Sequence, residues 1–102
     1  MVATPQQKEK IKKDIAACLR REKEVCKVVV FGSFLTSTAP NDLDVAIFQD
    51  SDETYLPLAQ KYRRLLRPVA DQIPIDVIPI RSNGACGEFL AEIQKGEVVY
   101  ER

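Results

Sequence analysis

The chain has 102 residues, 45% of them apolar, and its fifteen Lys/Arg balance fifteen Asp/Glu, so no net field draws it to a nucleic acid or a membrane surface. This length predicts one domain, residues 1–102, with a modest core. Histidine is absent, which excludes Ser-His-Asp and Cys-His catalysis and every His-containing zinc site. The cysteines Cys18, Cys26 and Cys86 form no Cys-x-x-Cys pair, and each is expected to be small buried filler. Their odd number, with no signal peptide and no apolar run near 18 residues, predicts a reducing cytoplasmic setting and no membrane partner. The charge is uneven: residues 1–27 carry eight bases against four acids, and residues 42–76 carry seven acids against four bases. A basic helix beside an acidic centre suggests a polar site rather than strong nucleic-acid binding.

Thr4-Pro5-Gln6-Gln7 is a helix start, with a capping hydroxyl, proline at the first helical position and Gln three residues after the cap. Ile11, Ile15, Cys18 and Leu19 keep the helical period, and the spacing predicts a helix over 5–24. Val25 to Phe31, rich in β-branched residues and ending in the apolar run Val28-Val29-Val30-Phe31, reads as a buried strand. Phe34 to Asn41 reads as a Ser/Thr/Pro connector with room for one helical turn, and Leu43 to Gln49 as the second strand. A helix is expected from Glu53 to about Arg67, with Pro68 ending or kinking it. The third strand is expected over 73–78, bracketed by Pro74 and Pro79. A turn at Ser82-Asn83-Gly84, a short helix through Phe89, Leu90 and Ile93 closed by Gly96, and a last strand at Val98-Val99-Tyr100 complete the chain. The order α-β-β-α-β-α-β predicts an α+β (α/β) fold, a mixed β-sheet flanked by helices.

Three acids fall inside this apolar framework. Asp42 and Asp44, two apart at the head of a strand, point to one face with Cα atoms about 6.6 to 6.8 Å apart. Asp76 joins them if its strand is a neighbour in suitable register. Two carboxylates at about 4 Å repel by roughly 4 kcal/mol at an effective dielectric near 20, which a divalent cation would offset. An all-oxygen donor set selects Mg²⁺, with Mn²⁺ the alternative, over zinc. Gly32-Ser33, directly after the first strand, supplies a sharp bend whose amides and hydroxyl suit a phosphate. A phosphate-gripping bend facing metal-binding acids is what phosphoryl or nucleotidyl transfer requires. Each piece also has a plain reading: an ordinary turn, a capped strand edge, and an Asp76–Arg81 pair. Neither the Walker pattern nor G-x-G-x-x-G is present, which disfavours P-loop, kinase and Rossmann readings.

Gly32-Ser33, a short connector, Asp42-Leu43-Asp44-Val45 and a strand-borne Asp76 resemble the signature of the DNA-polymerase-β-like nucleotidyltransferase superfamily. The small size and the closing Phe89-Leu90-Ala91-Glu92-Ile93 … Gly96-Glu97-Val98-Val99-Tyr100-Glu101 resemble its minimal nucleotidyltransferases (MNT), the antitoxin half of MNT/HEPN pairs. The resemblance implies a polymerase-β-like nucleotidyltransferase fold. It implies two Mg²⁺ ions on Asp42 and Asp44, with Asp76 on the metal nearest the acceptor hydroxyl. It also implies that Gly32 and Ser33 hold the β- and γ-phosphates of an NTP, usually ATP, and that AMP passes to a tyrosine of a helical HEPN toxin. The sequence departs from the family in a short connector and in Thr36-Ser37-Thr38, where relatives often carry an Ala-Arg-Gly segment; the missing base predicts a weaker clamp on the triphosphate. Lys61, Arg63 and Arg64, like Arg20 and Arg21, are expected on solvated faces unless they reach a phosphate. Two other readings compete: a catalytically weak module that neutralises its partner by contact, and an antibiotic-type transferase. The latter is disfavoured, because no acceptor-binding domain is expected after residue 102; the chain is expected to supply a nucleotide half-site only, with the acceptor on another chain. A homo-oligomer remains compatible with every reading.

Overall fold

The computed structural model describes residues 3–81 and 93–102. The elements run α1 (Pro5–Leu19), β1 (Val25–Phe31), α2 (Ser33–Thr36), β2 (Leu43–Gln49), α3 (Tyr55–Leu65), α4 (Arg67–Ala70), β3 (Ile75–Arg81) and β4 (Glu97–Glu101). The four strands form one mixed sheet in the order β3-β2-β1-β4, with β2/β3 parallel and the other two pairs antiparallel. Alternation assigns the faces. Val28, Val30, Val45, Ile47 and Val77 meet Ile15, Leu58, Tyr62 and Val69 of the helices, while Val29, Phe31, Ala46 and Ile80 form a second cluster with Ile93 on the other side. Apolar packing on both faces is why β1 ends in the unbroken apolar run Val28–Phe31. An extra residue in β1 opposite β2, between Val25 and Lys27, resets the alternation so that Val25 joins Val28 in the helix-side core.

The capping box at α1 forms as its sequence dictates: the Thr4 hydroxyl accepts from the Gln7 amide at 3.2 Å and the Thr4 amide donates to Gln7 Oε1 at 2.8 Å. The helix stops at Leu19, not residue 24. Nothing in Arg20-Arg21-Glu22-Lys23-Glu24 breaks a helix by propensity, so tertiary structure decides. The Glu22 amide donates to Leu19 O (3.0 Å) and the Val25 amide to Glu22 O (3.1 Å), turning the chain into β1 and delivering Glu24 to α3. There the buried Tyr62 hydroxyl donates to Glu24 Oε2 at 2.9 Å, and Lys61 Nζ lies 2.8 Å from Glu24 and 2.9 Å from Glu22.

The helix expected over Glu53–Arg67 is two pieces. Thr54 stands at the N-cap position of α3 without a side-chain capping bond, Leu66 sits at φ −91, ψ 10, and Pro68 is accommodated in the first turn of α4. The third strand is displaced from 73–78 to Ile75–Arg81 and runs through Pro79. An edge strand tolerates proline, because the missing donor faces away from β2. β4 extends one residue beyond the expected strand at each end. Gly96 does close a turn, its amide donating to Ile93 O at 2.9 Å, but it also lies where a Cβ would meet Val30 O at 2.5 Å. The turn at Ser82-Asn83-Gly84, Cys86 and the helix through Phe89 and Leu90 lie outside the described residues. Cys18 and Cys26 are half-buried free thiols, Cys18 packing against the helix-side core as filler and Cys26 donating to Glu24 O at 3.5 Å.

Burial alone would raise the Glu24 carboxyl, but hydrogen bonds from Lys61, its own amide and Tyr62 outweigh that and hold it below the usual carboxylate range. A lowered folded value adds stability that is present above the ordinary carboxylate range and is lost as pH falls through the folded value. Glu24→Gln is therefore expected to cost about 1–3 kcal/mol near neutrality, the scale of hydrogen bonds to a charged group. In urea melts the gap between variant and parent should close on acidification; a pH-independent gap would contradict this account.

Candidate active site

The parallel pairing of β2 and β3 sets Asp44 directly opposite Asp76, and Asp42 sits one residue before β2. One carboxylate oxygen from each of Asp42, Asp44 and Asp76 lies within 4.8 Å of the other two. Asp42 and Asp44 are half-buried and Asp76 is exposed, so water or a ligand enters from the β3 side. Oxygens bound to one magnesium ion at about 2.1 Å sit roughly 3 to 4.2 Å apart, so a small contraction brings the three onto a common cation. The donor set is all oxygen, as Mg²⁺ or Mn²⁺ requires. The plain reading that paired Asp76 with Arg81 fails: Arg81 lies at the far end of β3, its guanidinium 4.0 Å from Asp52.

The antiparallel pairing of β1 with β2 brings the bend to the same place. Phe31 is opposite Asp44, so Gly32 falls beside the carboxylates. Gly32 adopts φ 84, ψ −157, a region essentially reserved for glycine, and a Cβ there would lie 2.5 Å from Asp44 Oδ2. The backbone conformation demands glycine at this position, and a Cβ would also push the Asp44 carboxylate aside. The bend continues into α2, where the Leu35 amide donates to Gly32 O (3.2 Å) and the Ser37 amide to Ser33 O (2.8 Å), leaving the Ser33 side chain exposed.

Burial raises the Asp44 carboxyl first, and the charges of Asp42 and Asp76 and a side-chain hydrogen bond with Asp76 add to it. Two like charges 4.8 Å apart repel by about 3.5 kcal/mol at an effective dielectric near 20, less the screening that exposed Asp76 receives. The bases are elsewhere. Lys61 is held by Glu22 and Glu24, α3 with Arg63 and Arg64 packs on the face of the sheet opposite Asp44, and Arg20 and Arg21 precede β1 at the end remote from Gly32. Sequence reasoning missed the anchoring of the segment after the bend. The Ala3 amide donates to Thr38 O at 2.9 Å and Lys8 Nζ to Ser37 O at 2.6 Å, contacts across about thirty residues that no local pattern announces.

A family model described as "Polymerase beta, Nucleotidyltransferase" matches residues 13–102. The chain belongs to this nucleotidyltransferase family. Among solved structures, the fold is similar to a crystal structure of the toxin–antitoxin MntA–HepT, with TM-score 0.61 and 16% identity over 92% of this chain and 73% of that one. It is also similar to a toxin–antitoxin crystallised with AMP-PNP, with TM-score 0.64 and 19% identity over 89% of this chain and 73% of that one. No curated protein sequence matches. The fold expected from the sequence is the fold observed, a small mixed sheet flanked by helices. Among the described residues no helix is long and apolar enough to cross a membrane.

Two outcomes follow from the carboxylate geometry. Gly32→Ala should cost about 1–3 kcal/mol through backbone strain and displace Asp44, so that Mg²⁺, expected to raise the melting temperature of the parent, should not raise that of the variant. Asp44 has a raised folded value, so its contribution to the metal-free fold is favourable below the ordinary carboxylate range and is lost as pH rises through the folded value. Metal-free Asp44→Asn should therefore melt above the parent at neutral pH and close to it at acidic pH. A variant that melts below the parent at neutral pH would show that the three charges do not repel.

Proposed function

We propose that the chain is a metal-dependent adenylyltransferase that moves AMP from ATP to a hydroxyl of a protein acceptor, a HEPN-type toxin, and so acts as an antitoxin. The observation that carries this reading is the convergence of Asp42, Asp44 and Asp76 beside Gly32 in a chain of the nucleotidyltransferase family. The toxin–antitoxin neighbours, one of them with AMP-PNP, support the partner and nucleotide classes.

In this mechanism Asp42 and Asp44 would hold two Mg²⁺ ions, and Asp76 would complete the set on the side open to solvent. The ions, when bound, neutralise the triphosphate and the charge that develops on it. Gly32 and Ser33 hold the β- and γ-phosphates, the glycine letting the backbone approach closely and the hydroxyl donating. The acceptor oxygen attacks the α-phosphorus, its proton passes to Asp76, and the bond between the α-phosphorus and the α–β bridging oxygen breaks to release pyrophosphate. Water access on the β3 side leaves room for an acceptor carried by another chain. A contact-only module is favoured by one feature, the absence of a base in Thr36-Ser37-Thr38.

The test incubates the chain with a purified HEPN acceptor, Mg²⁺ and ATP labelled at either the α- or the γ-phosphate. Transfer of α-label alone is expected, with at least a hundredfold loss in Asp44→Asn. γ-Label on the acceptor would mean a kinase, and an acceptor bound and silenced without label would leave the contact module standing.

A further inference from the structure

Lys8 belongs to none of the roles assigned so far, and it precedes the family match, which begins at residue 13. Its ammonium nevertheless reaches across the molecule to the segment that follows the bend. Lys8 Nζ donates to Ser37 O at 2.6 Å and lies 5.6 Å from the centre of the Phe34 ring. Phe34 is wholly buried, so its ring offers the ammonium a fixed face. Ser37 in turn donates its amide to Ser33 O at 2.8 Å, and Leu35 donates to Gly32 O at 3.2 Å. Ser37 is therefore held at both of its backbone groups, its carbonyl by the Lys8 ammonium and its amide by Ser33 O. The Ala3 amide binds the next carbonyl, Thr38 O, at 2.9 Å, so the start of α1 grips two consecutive residues of the connector.

From this geometry we infer that Lys8 is a positioning residue for nucleotide binding, holding the Gly32–Ser33 bend in its phosphate-gripping shape through Ser37 and Phe34. The inference rests on the nucleotide reading given above. Glycine enters this region as readily as its mirror image, so Gly32 does not by itself fix the shape of the bend, and the segment after it has to be held from outside. Lys8 supplies that restraint with a charge-assisted bond to a carbonyl, stronger than a neutral one, on a segment that lacks a base of its own.

Calorimetric titration of the full chain with Mg²⁺–ATP compares the parent, Lys8→Met and Lys8→Arg. Methionine keeps an apolar stem and removes the donor and its charge. Lys8→Met should bind about tenfold more weakly, the scale of one lost charge-assisted hydrogen bond, and Lys8→Arg should stay within about twofold. In the labelled-transfer assay the loss should appear in KM for ATP with kcat little changed. Amide exchange should accelerate at Leu35 and Ser37 and not in the β1/β2 ladder. Equal binding by parent and Lys8→Met overturns the inference and leaves the function untouched. Exchange that accelerates throughout the sheet, in Lys8→Met and in the milder Lys8→Gln alike, makes Lys8 merely structural and also overturns it. A parent that fails to bind Mg²⁺–ATP removes the nucleotide reading itself, and this inference with it.

Discussion

The register of the parallel pair β2/β3 is the constraint on which the site depends. Asp44 faces Asp76 because Leu43 faces Ile75 and Val45 faces Val77, and the ladder is opened by the bond from the Leu43 amide to Pro74 O at 2.9 Å. A slip of one residue would turn one carboxylate toward the helices and an apolar side chain toward the site. The core holds the register in place. Leu43, Val45, Ile47 and Val77 are buried against the helices, and each such side chain stabilises the fold by about 1.5–3 kcal/mol. Their sum exceeds the repulsion of about 3.5 kcal/mol between neighbouring carboxylates in the triad. Burial on one face of the sheet therefore holds together like charges on the other.

The second strand pair completes the arrangement by the same means. Val28, Val30, Val45 and Ile47 share the helix-side core, which sets Phe31 opposite Asp44 and leaves Gly32 no lateral room. Placement of the bend and placement of the carboxylate thus depend on the same β1/β2 register. The four-residue α2 and the tether from α1 then fix where the chain goes after Gly32. Because the segment from Gly32 to Asp42 is short, restraint at Ser37 and Thr38 acts on both of its ends.

Local signals were legible where the chain is punctuated by its own chemistry. β1 and β2 begin and end as read, since Gly32 stops one apolar run and Asp42 introduces the other, and the capping box at Thr4 needs only four residues. The three acids were legible as a group because a period of two and one assumed strand pairing suffice to bring them together. Boundaries set by distant partners were not. α1 ends at Leu19 because Glu24 is required under Tyr62 and Lys61, 38 and 37 residues away, and the charged run between carries no stop signal. The third strand lies later than its prolines suggest, because Pro79 does not end it, and only the sheet order reveals that β3 is an edge strand where proline is tolerated. Lys8 gave no signal because lysine on an amphipathic helix reads as solvated until its partner, 29 residues away, is known.

How the chain treats its acids elsewhere gives the triad its meaning. Five described acids are half-buried: Asp14, Glu22, Glu24, Asp42 and Asp44. Asp14 pairs with Lys10 at 2.9 Å, and Glu22 and Glu24 share Lys61. Asp42 and Asp44 alone in that group have no lysine or arginine within 4.0 Å among the described residues, although the chain as a whole carries one base for every acid. Desolvation penalises an unpaired carboxylate more as burial deepens, so the pairing of the other three is the expected outcome. Leaving two unpaired, with a third acid against them, is a local choice against stability that no shortage of bases explains. The surplus negative charge lies beside a glycine bend in a nucleotidyltransferase, where divalent cations neutralising a polyphosphate would be its counter-ions.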